Sequence, residues 1–149
     1  MRVAAVVVVL AVVGTATAAG ESAKIVASWK LTPGALNRTV TQQTIDSTIC
    51  VHGWTRTIRP PVRYTNRLKL VQMRQYHETG NPSRYEEDHL IPLELGGHPR
   101  SPKNLWPEPR PRADVVDRIE TSLKRQVCSR VLTLARARRR ISLLKHTRG

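Results

Sequence analysis

The stretch Tyr85–Pro107, YEEDHLIPLELGGHPRSPKNLWP, constrains this chain more than any other. An acid–histidine pair, Asp88-His89, leads into an apolar run that Gly96-Gly97 breaks, and Asn104-Leu105 follows about fifteen residues after the histidine. Tyr85–Leu95 reads as a strand, Gly96–Lys103 as a turn-rich connection and Asn104–Trp106 as a short second strand. Pro107, Pro109 and Pro111 are expected to stop that second strand, because proline cannot donate to a ladder. From Ala113 the periodicity turns helical. Val116, Ile119, Leu123, Val127, Val131 and Leu134 recur at three- and four-residue spacing and predict one buried stripe. Strand, turn, strand and helix in so short a span imply a small α+β domain.

The residues before this core divide into segments. Met1-Arg2 precedes an unbroken apolar run, Val3 to Val13, and then small residues, the pattern of a secretory signal peptide over residues 1–19. The run is too short for a bilayer core of about 30 Å. No second apolar stretch follows, so the mature chain is expected to have no membrane span and to be secreted or held in the periplasm or cell envelope. Residues 20–39 are polar with Gly and Pro and predict an extended, partly ordered lead-in. Val40–Val51 suits a short helix with Thr41 as N-cap, and Tyr64–His77 a longer one. Gly53 and Pro60-Pro61 exclude a regular helix across His52–Arg63, and Glu78–Arg84 is a loop. Residues 40–149 form the expected single domain, closed by a basic helix.

Charge and cysteines add two constraints. The 149 residues carry 25 Lys and Arg against 11 Asp and Glu, a formal net charge of +14. Such a chain suits a polyanionic partner. Nucleic acid comes first, DNA ahead of RNA, and an anionic cell-wall polymer or membrane surface second; no protein partner can be inferred. Arg136, Arg138, Arg139 and Arg140 gather in a tail without an acid, a pattern that fits a phosphate grip or simply a solvated helix end. Cys50 and Cys128 are the only cysteines, and in an exported chain such a pair predicts a disulfide.

Asp88 and His89 carry chemistry of a definite kind. Phosphodiester hydrolysis needs a base for water and positive charge for the pentavalent centre and the leaving oxygen. Histidine can supply the first, and a hard cation on oxygen ligands the second. Neighbours on a strand face opposite ways, so Asp88 and His89 share a site only if the strand bends or ends there.

The string DHLIPLELGG…NLWPEP resembles the core of the HNH, or ββα-metal, nuclease superfamily, in the form carried by small exported bacterial proteins with the upstream segment TICVHGWT. The resemblance spans Tyr85 to about Leu123. It implies a ββα-metal finger with flanking helices and a metal-dependent endonuclease of little sequence preference, using Mg²⁺ or Mn²⁺. It implies Asp88 as first metal ligand, His89 as general base, and Asn104 as the residue that hydrogen-bonds and orients the histidine ring. Many members carry a zinc knuckle, which this chain lacks for want of a Cys-x-x-Cys pair.

One element departs from the pattern. The final histidine, expected about nine residues after the asparagine, is missing, and position 113 is Ala113. The helix offers Asp114, Asp117 and Glu120 instead. Asp117 ranks first and Glu120 second as the replacement ligand, on a shared face beside the apolar stripe, while Asp114 suits the helix start. Simpler readings stand alongside. Asp117 and Glu120 also suit surface pairing with Arg118 and Lys124, Asn104 a turn, and Trp54 and Trp106 packing. A non-catalytic exported module that binds nucleic acid or cell-wall polymer is the alternative function. A glycosidase is weaker, because no second acid stands out in the strand region.

Overall fold

The computed structural model describes residues 25–148; the expected signal peptide lies outside them. In chain order the regular elements are α1 (Trp54–Ile58), α2 (Val62–Gln75), β1 (Tyr85–His89), β2 (Leu105–Pro109), α3 (Arg110–Cys128) and α4 (Leu134–Thr147). The result is a small α+β domain with one antiparallel two-stranded sheet. No described helix is long and apolar enough to cross a membrane.

The sheet differs from the sequence expectation at its ends. β1 stops at His89 because the chain then turns through Pro92 and a 3-10 turn, Leu93–Leu95. Asn104 lies in a 3-10 turn rather than on the second strand, and β2 continues through Pro107 and Pro109. The register explains why the prolines are tolerated. Asp88 faces Trp106, Glu87 faces Pro107 and Tyr85 faces Pro109. Leu90 N–H donates to the Asn104 carbonyl at 2.8 Å. Antiparallel pairs alternate between bonded and non-bonded, so Leu90/Asn104, Asp88/Trp106 and Glu86/Glu108 carry the ladder bonds. Pro107 and Pro109 occupy the non-bonded pairs, where a missing N–H costs no ladder bond.

The helical stripe is real but differently composed. Ala113, Val116, Glu120, Leu123 and Val127 are buried on α3, whereas Ile119 and Val131 are 37% and 75% exposed. Arg130 and the turn around it end α3, and Thr133 caps α4 by accepting from Arg136 N–H. Leu134, Ala137 and Ile141 of α4 then pack with Val116, Leu123, Val127, Ile45, Ile49 and Leu95 into the main core. Each such Val, Leu or Ile side chain stabilises the fold by about 1.5–3 kcal/mol. The expected disulfide is present: Cys50 and Cys128 are joined, with Cα atoms 5.6 Å apart, fastening the end of α3 to the upstream segment. It is consistent with an oxidising, extracytoplasmic compartment.

Two upstream elements depart from expectation. Val40–Val51 holds only a 3-10 turn, Ile45–Ser47. A five-residue helix, α1, starts after Gly53, whose φ of 78° supplies the left-handed entry that a side chain would resist. The described part of the lead-in is packed in place. Ala27 N–H donates to the Lys145 carbonyl at 3.0 Å, and Thr32 Oγ1 lies 2.7 Å from the Tyr76 hydroxyl. Ala27 also joins Leu90 and Trp106 in a second apolar cluster, edged by Tyr76. Trp106 is wholly buried there, while Trp54 packs on the main core.

Candidate active site

His89 is the last residue of β1, so the strand ends where an acid–histidine pair can share one site. A cleft of about 240 Å³ opens there, with Arg59, Asp88, His89, Glu94, Asp117 and Glu120 on its walls. His89 Nε2 is 3.0 Å from the Pro99 carbonyl oxygen. A carbonyl only accepts, so Nε2 carries the hydrogen and Nδ1 keeps its lone pair. Burial lowers the pKa of this imidazole, against the opposing pull of Asp88. The ring is therefore neutral at pH 7, the form a general base requires.

Asn104 reaches the site by another route than expected. Its amide donates to the carbonyls of Ile91 at 3.0 Å and His98 at 3.1 Å, and its Oδ1 accepts from Ile91 N–H at 2.9 Å. It clamps the loop between the strands, and the Pro99 carbonyl of that loop, not Asn104, holds the imidazole. The second glycine of the Gly-Gly pair follows from this clamp. A Cβ on Gly97 would lie 1.7 Å from the Ile91 carbonyl oxygen and 2.6 Å from Asn104 Nδ2. His98 caps the next turn, its Nδ1 accepting from Ser101 N–H at 3.0 Å.

The dominant feature beside His89 is a buried lysine. Lys145 extends the inward stripe of α4 beyond Leu134, Ala137 and Ile141, and its side chain is inaccessible to solvent. Its ammonium donates to Asp88 Oδ2 and, at 2.7 Å, to the His89 carbonyl. It also lies 2.7 Å from Glu120 Oε1 and 3.4 Å from Glu108 Oε2. Three carboxylates from β1, β2 and α3 thus converge on one cation from α4.

Their ionisation follows from that count. Burial would raise the Asp88 pKa, but the Lys145 ammonium and the neighbouring Glu108 carboxyl override it and hold it at about 2. Burial pushes Glu108 and Glu120 up to about 8, Lys145 opposing and Asp88 adding to the rise. Lys145 is itself raised: burial would lower it, but its three acids prevail. Around neutrality the cluster is an Asp88–Lys145 ion pair with two largely protonated glutamic acids. The remaining acids of the cleft are mostly matched: Glu86 pairs with Arg110 at 3.4 Å and Glu94 with Lys124 at 3.6 Å. Asp117 is exposed, and burial and the Asp88 charge raise its pKa.

This arrangement does not fit the expected metal ligands. Asp88 and Glu120 are committed to Lys145, Asp117 stands apart on the cleft wall, and no three His, Cys, Asp or Glu side chains among the described residues are grouped to hold a metal. Glu120 also lies within the buried stripe, not beside it, and pairs with Lys145 rather than Lys124. Glu108 is the strand acid that the sequence did not reveal, but it is wholly buried beneath Lys145 and cannot meet a sugar.

The basic side chains divide by burial. Arg138 is half-buried and donates to the carbonyls of Leu95 at 2.8 Å and Val40 at 3.0 Å, so it docks α4. Arg136, Arg139 and Arg140 are exposed. A further basic group was not evident from the sequence. Arg63 and Arg67 of α2 and Arg100, next to the Pro99 that holds His89, line a recess of about 220 Å³ with Tyr64. Comparison with protein-family models, curated proteins and solved structures finds no match for the chain.

Proposed function

We propose that this chain is an exported nuclease of the HNH type, with β1, β2 and α3 as its ββα finger. The single observation that carries the reading is His89, held in its neutral Nε2–H tautomer by Pro99 at the floor of an open cleft. In this reading the free Nδ1 takes the proton of the attacking hydroxyl as its oxygen bonds to phosphorus, and the 5′-oxygen, its bond to phosphorus broken, leaves with a proton from solvent water. Arg59, on the cleft wall, holds the phosphate. Arg63, Arg67 and Arg100 carry the flanking backbone, with Arg136, Arg139 and Arg140 as further phosphate contacts. The cleft admits a polyanion because most of its acids are paired or protonated, the exposed Asp117 being the exception.

Lys145 shifts the expected chemistry. With Asp88 and Glu120 held by an ammonium, no step here runs through Mg²⁺ or Mn²⁺. A base and a guanidinium without a metal suit RNA better than DNA, because the 2′-hydroxyl is an internal nucleophile already near the phosphorus. RNA therefore moves ahead of DNA as substrate. The Oδ2 bond of Asp88 to Lys145 also favours a second reading, a non-catalytic nucleic-acid binder that retains the finger as scaffold.

Single-stranded RNA and plasmid DNA incubated with purified protein separate the two. Under the nuclease reading RNA is cut, His89→Ala loses at least about 10²-fold in rate, and Arg59→Ala loses mainly affinity. Binding without cleavage by the wild type would support the scaffold. Cleavage unchanged in folded His89→Ala would exclude the assigned base.

A further inference from the structure

We propose that Lys145 is the resident cation of this site, held among Asp88, Glu108 and Glu120, which as they stand form no metal-binding group but would close on a hard divalent ion in its absence. Four oxygens surround its nitrogen: Oδ2 of Asp88 accepts from it directly, Oε1 of Glu120 and the His89 carbonyl each lie at 2.7 Å, and Oε2 of Glu108 lies at 3.4 Å. An all-oxygen shell of three carboxylates and a carbonyl is the donor set that Mg²⁺, Mn²⁺ and Ca²⁺ select. An ammonium can point only three hydrogens into such a shell. Here the shell outnumbers them. Glu108 Oε1 and Oε2 and Glu120 Oε1 are buried with no hydrogen-bond partner, and the Glu108 side chain is entirely inaccessible, so the two glutamic acids keep protons of their own where one ammonium cannot serve all three acids. Carboxylate oxygens in excess of the lysine's hydrogens, aimed at a single cation, are what a metal site looks like when a lysine fills it.

The elements also place the lysine deliberately. Lys145 sits on the inward stripe of α4, and its own carbonyl accepts from Ala27 N–H, so the helix end is anchored from the lead-in as well. A lysine head held at four points by β1, β2 and α3 ties α4 to the sheet. It makes the carboxylate cluster independent of metal supply. This inference stands on the geometry of the cluster and does not require that the protein cleave nucleic acid.

Its test is calorimetric titration of Mn²⁺ into the full mature chain, backed by thermal shift. Wild type should show no Asp88-dependent binding up to roughly 1 mM, the weak end of oxygen-ligand sites. Lys145→Ala should bind one Mn²⁺ and gain thermal stability from it, and the added Asp88→Asn change should abolish both effects. If Lys145→Ala does not fold alone, millimolar Mn²⁺ should restore its fold, since the binding energy becomes folding energy. Lys145→Met, which fills the space without a charge, should bind none. Wild-type binding that Asp88→Asn removes, or a Lys145→Ala protein that gains neither binding nor fold from Mn²⁺, would overturn the proposal.

Discussion

Lys145 and Asp88 form an ion pair across 57 residues of sequence, joining the last turn of α4 to the end of β1 beside the imidazole of His89. Removing one member of a buried pair leaves the other uncompensated, which costs about 3–5 kcal/mol. Lys145→Met should therefore lose about 3 kcal/mol at pH 7 in urea unfolding. The loss should shrink at pH 5, where the orphaned Asp88 carboxylate can take up a proton. A loss that does not depend on pH would mean that packing, not charge, is what Lys145 supplies.

Glu87 gives the pH dependence of stability a clear sign. It is buried, neither carboxylate oxygen has a hydrogen-bond partner, and burial lifts its pKa to about 8, against the pull of Lys69. A raised folded pKa contributes stability that is complete below the unfolded value near 4.5 and is lost as pH rises through 8. Between pH 6 and pH 9 the protein should lose about 2 kcal/mol through this residue. Glu87→Gln should retain that stability, raising Tm at pH 9 by roughly 10 °C. Glu108 and Glu120 titrate with the same sign, so the variant should keep part of the alkaline slope.

The disulfide should account for a further part of the stability. It spans 78 residues, from the segment before α1 to the end of α3. Replacing Cys50 and Cys128 by serine should cost about 2–5 kcal/mol in denaturant unfolding. An unchanged midpoint would indicate that the main core holds these segments without it.

Arginines that look alike in sequence should behave differently. Arg63→Ala and Arg67→Ala should each lower the salt slope of nucleic-acid binding by about one, with folding unaffected. Arg138→Ala should instead lower thermal stability, because its guanidinium holds the carbonyls of Leu95 and Val40. Binding measured from low to high salt, beside thermal melts, separates the groups. An equal salt effect from all three would place Arg138 in the interface.

Much of the scaffold was legible because it depends on local chemistry. The Gly-Gly turn, the helix pattern after Ala113 and the Cys50–Cys128 pairing all followed from residue type and spacing. The end of β1 did not, because the turn that ends it is held by a long-range side-chain contact: Asn104 clamps Ile91 from thirteen residues away. Pro107 and Pro109 read as strand breakers because the sequence does not say which pairs lack ladder bonds. Lys145 was hidden among tail arginines, although its spacing from Ile141 continues the inward stripe. Glu108 does not stand out in the sequence, because only the pairing of β2 with β1 turns it toward Asp88. In each case the missing information was a long-range contact.

The most direct test of the account is RNA cleavage by the mature wild-type protein after exhaustive treatment with EDTA, run beside the same protein in Mg²⁺ or Mn²⁺ and beside His89→Ala. Cleavage should be equal with and without metal, and reduced by at least about 10²-fold in His89→Ala. Activity that vanishes in EDTA and returns with Mg²⁺ or Mn²⁺ would contradict it, because a divalent ion would then be doing the work assigned here to the protein's own cations.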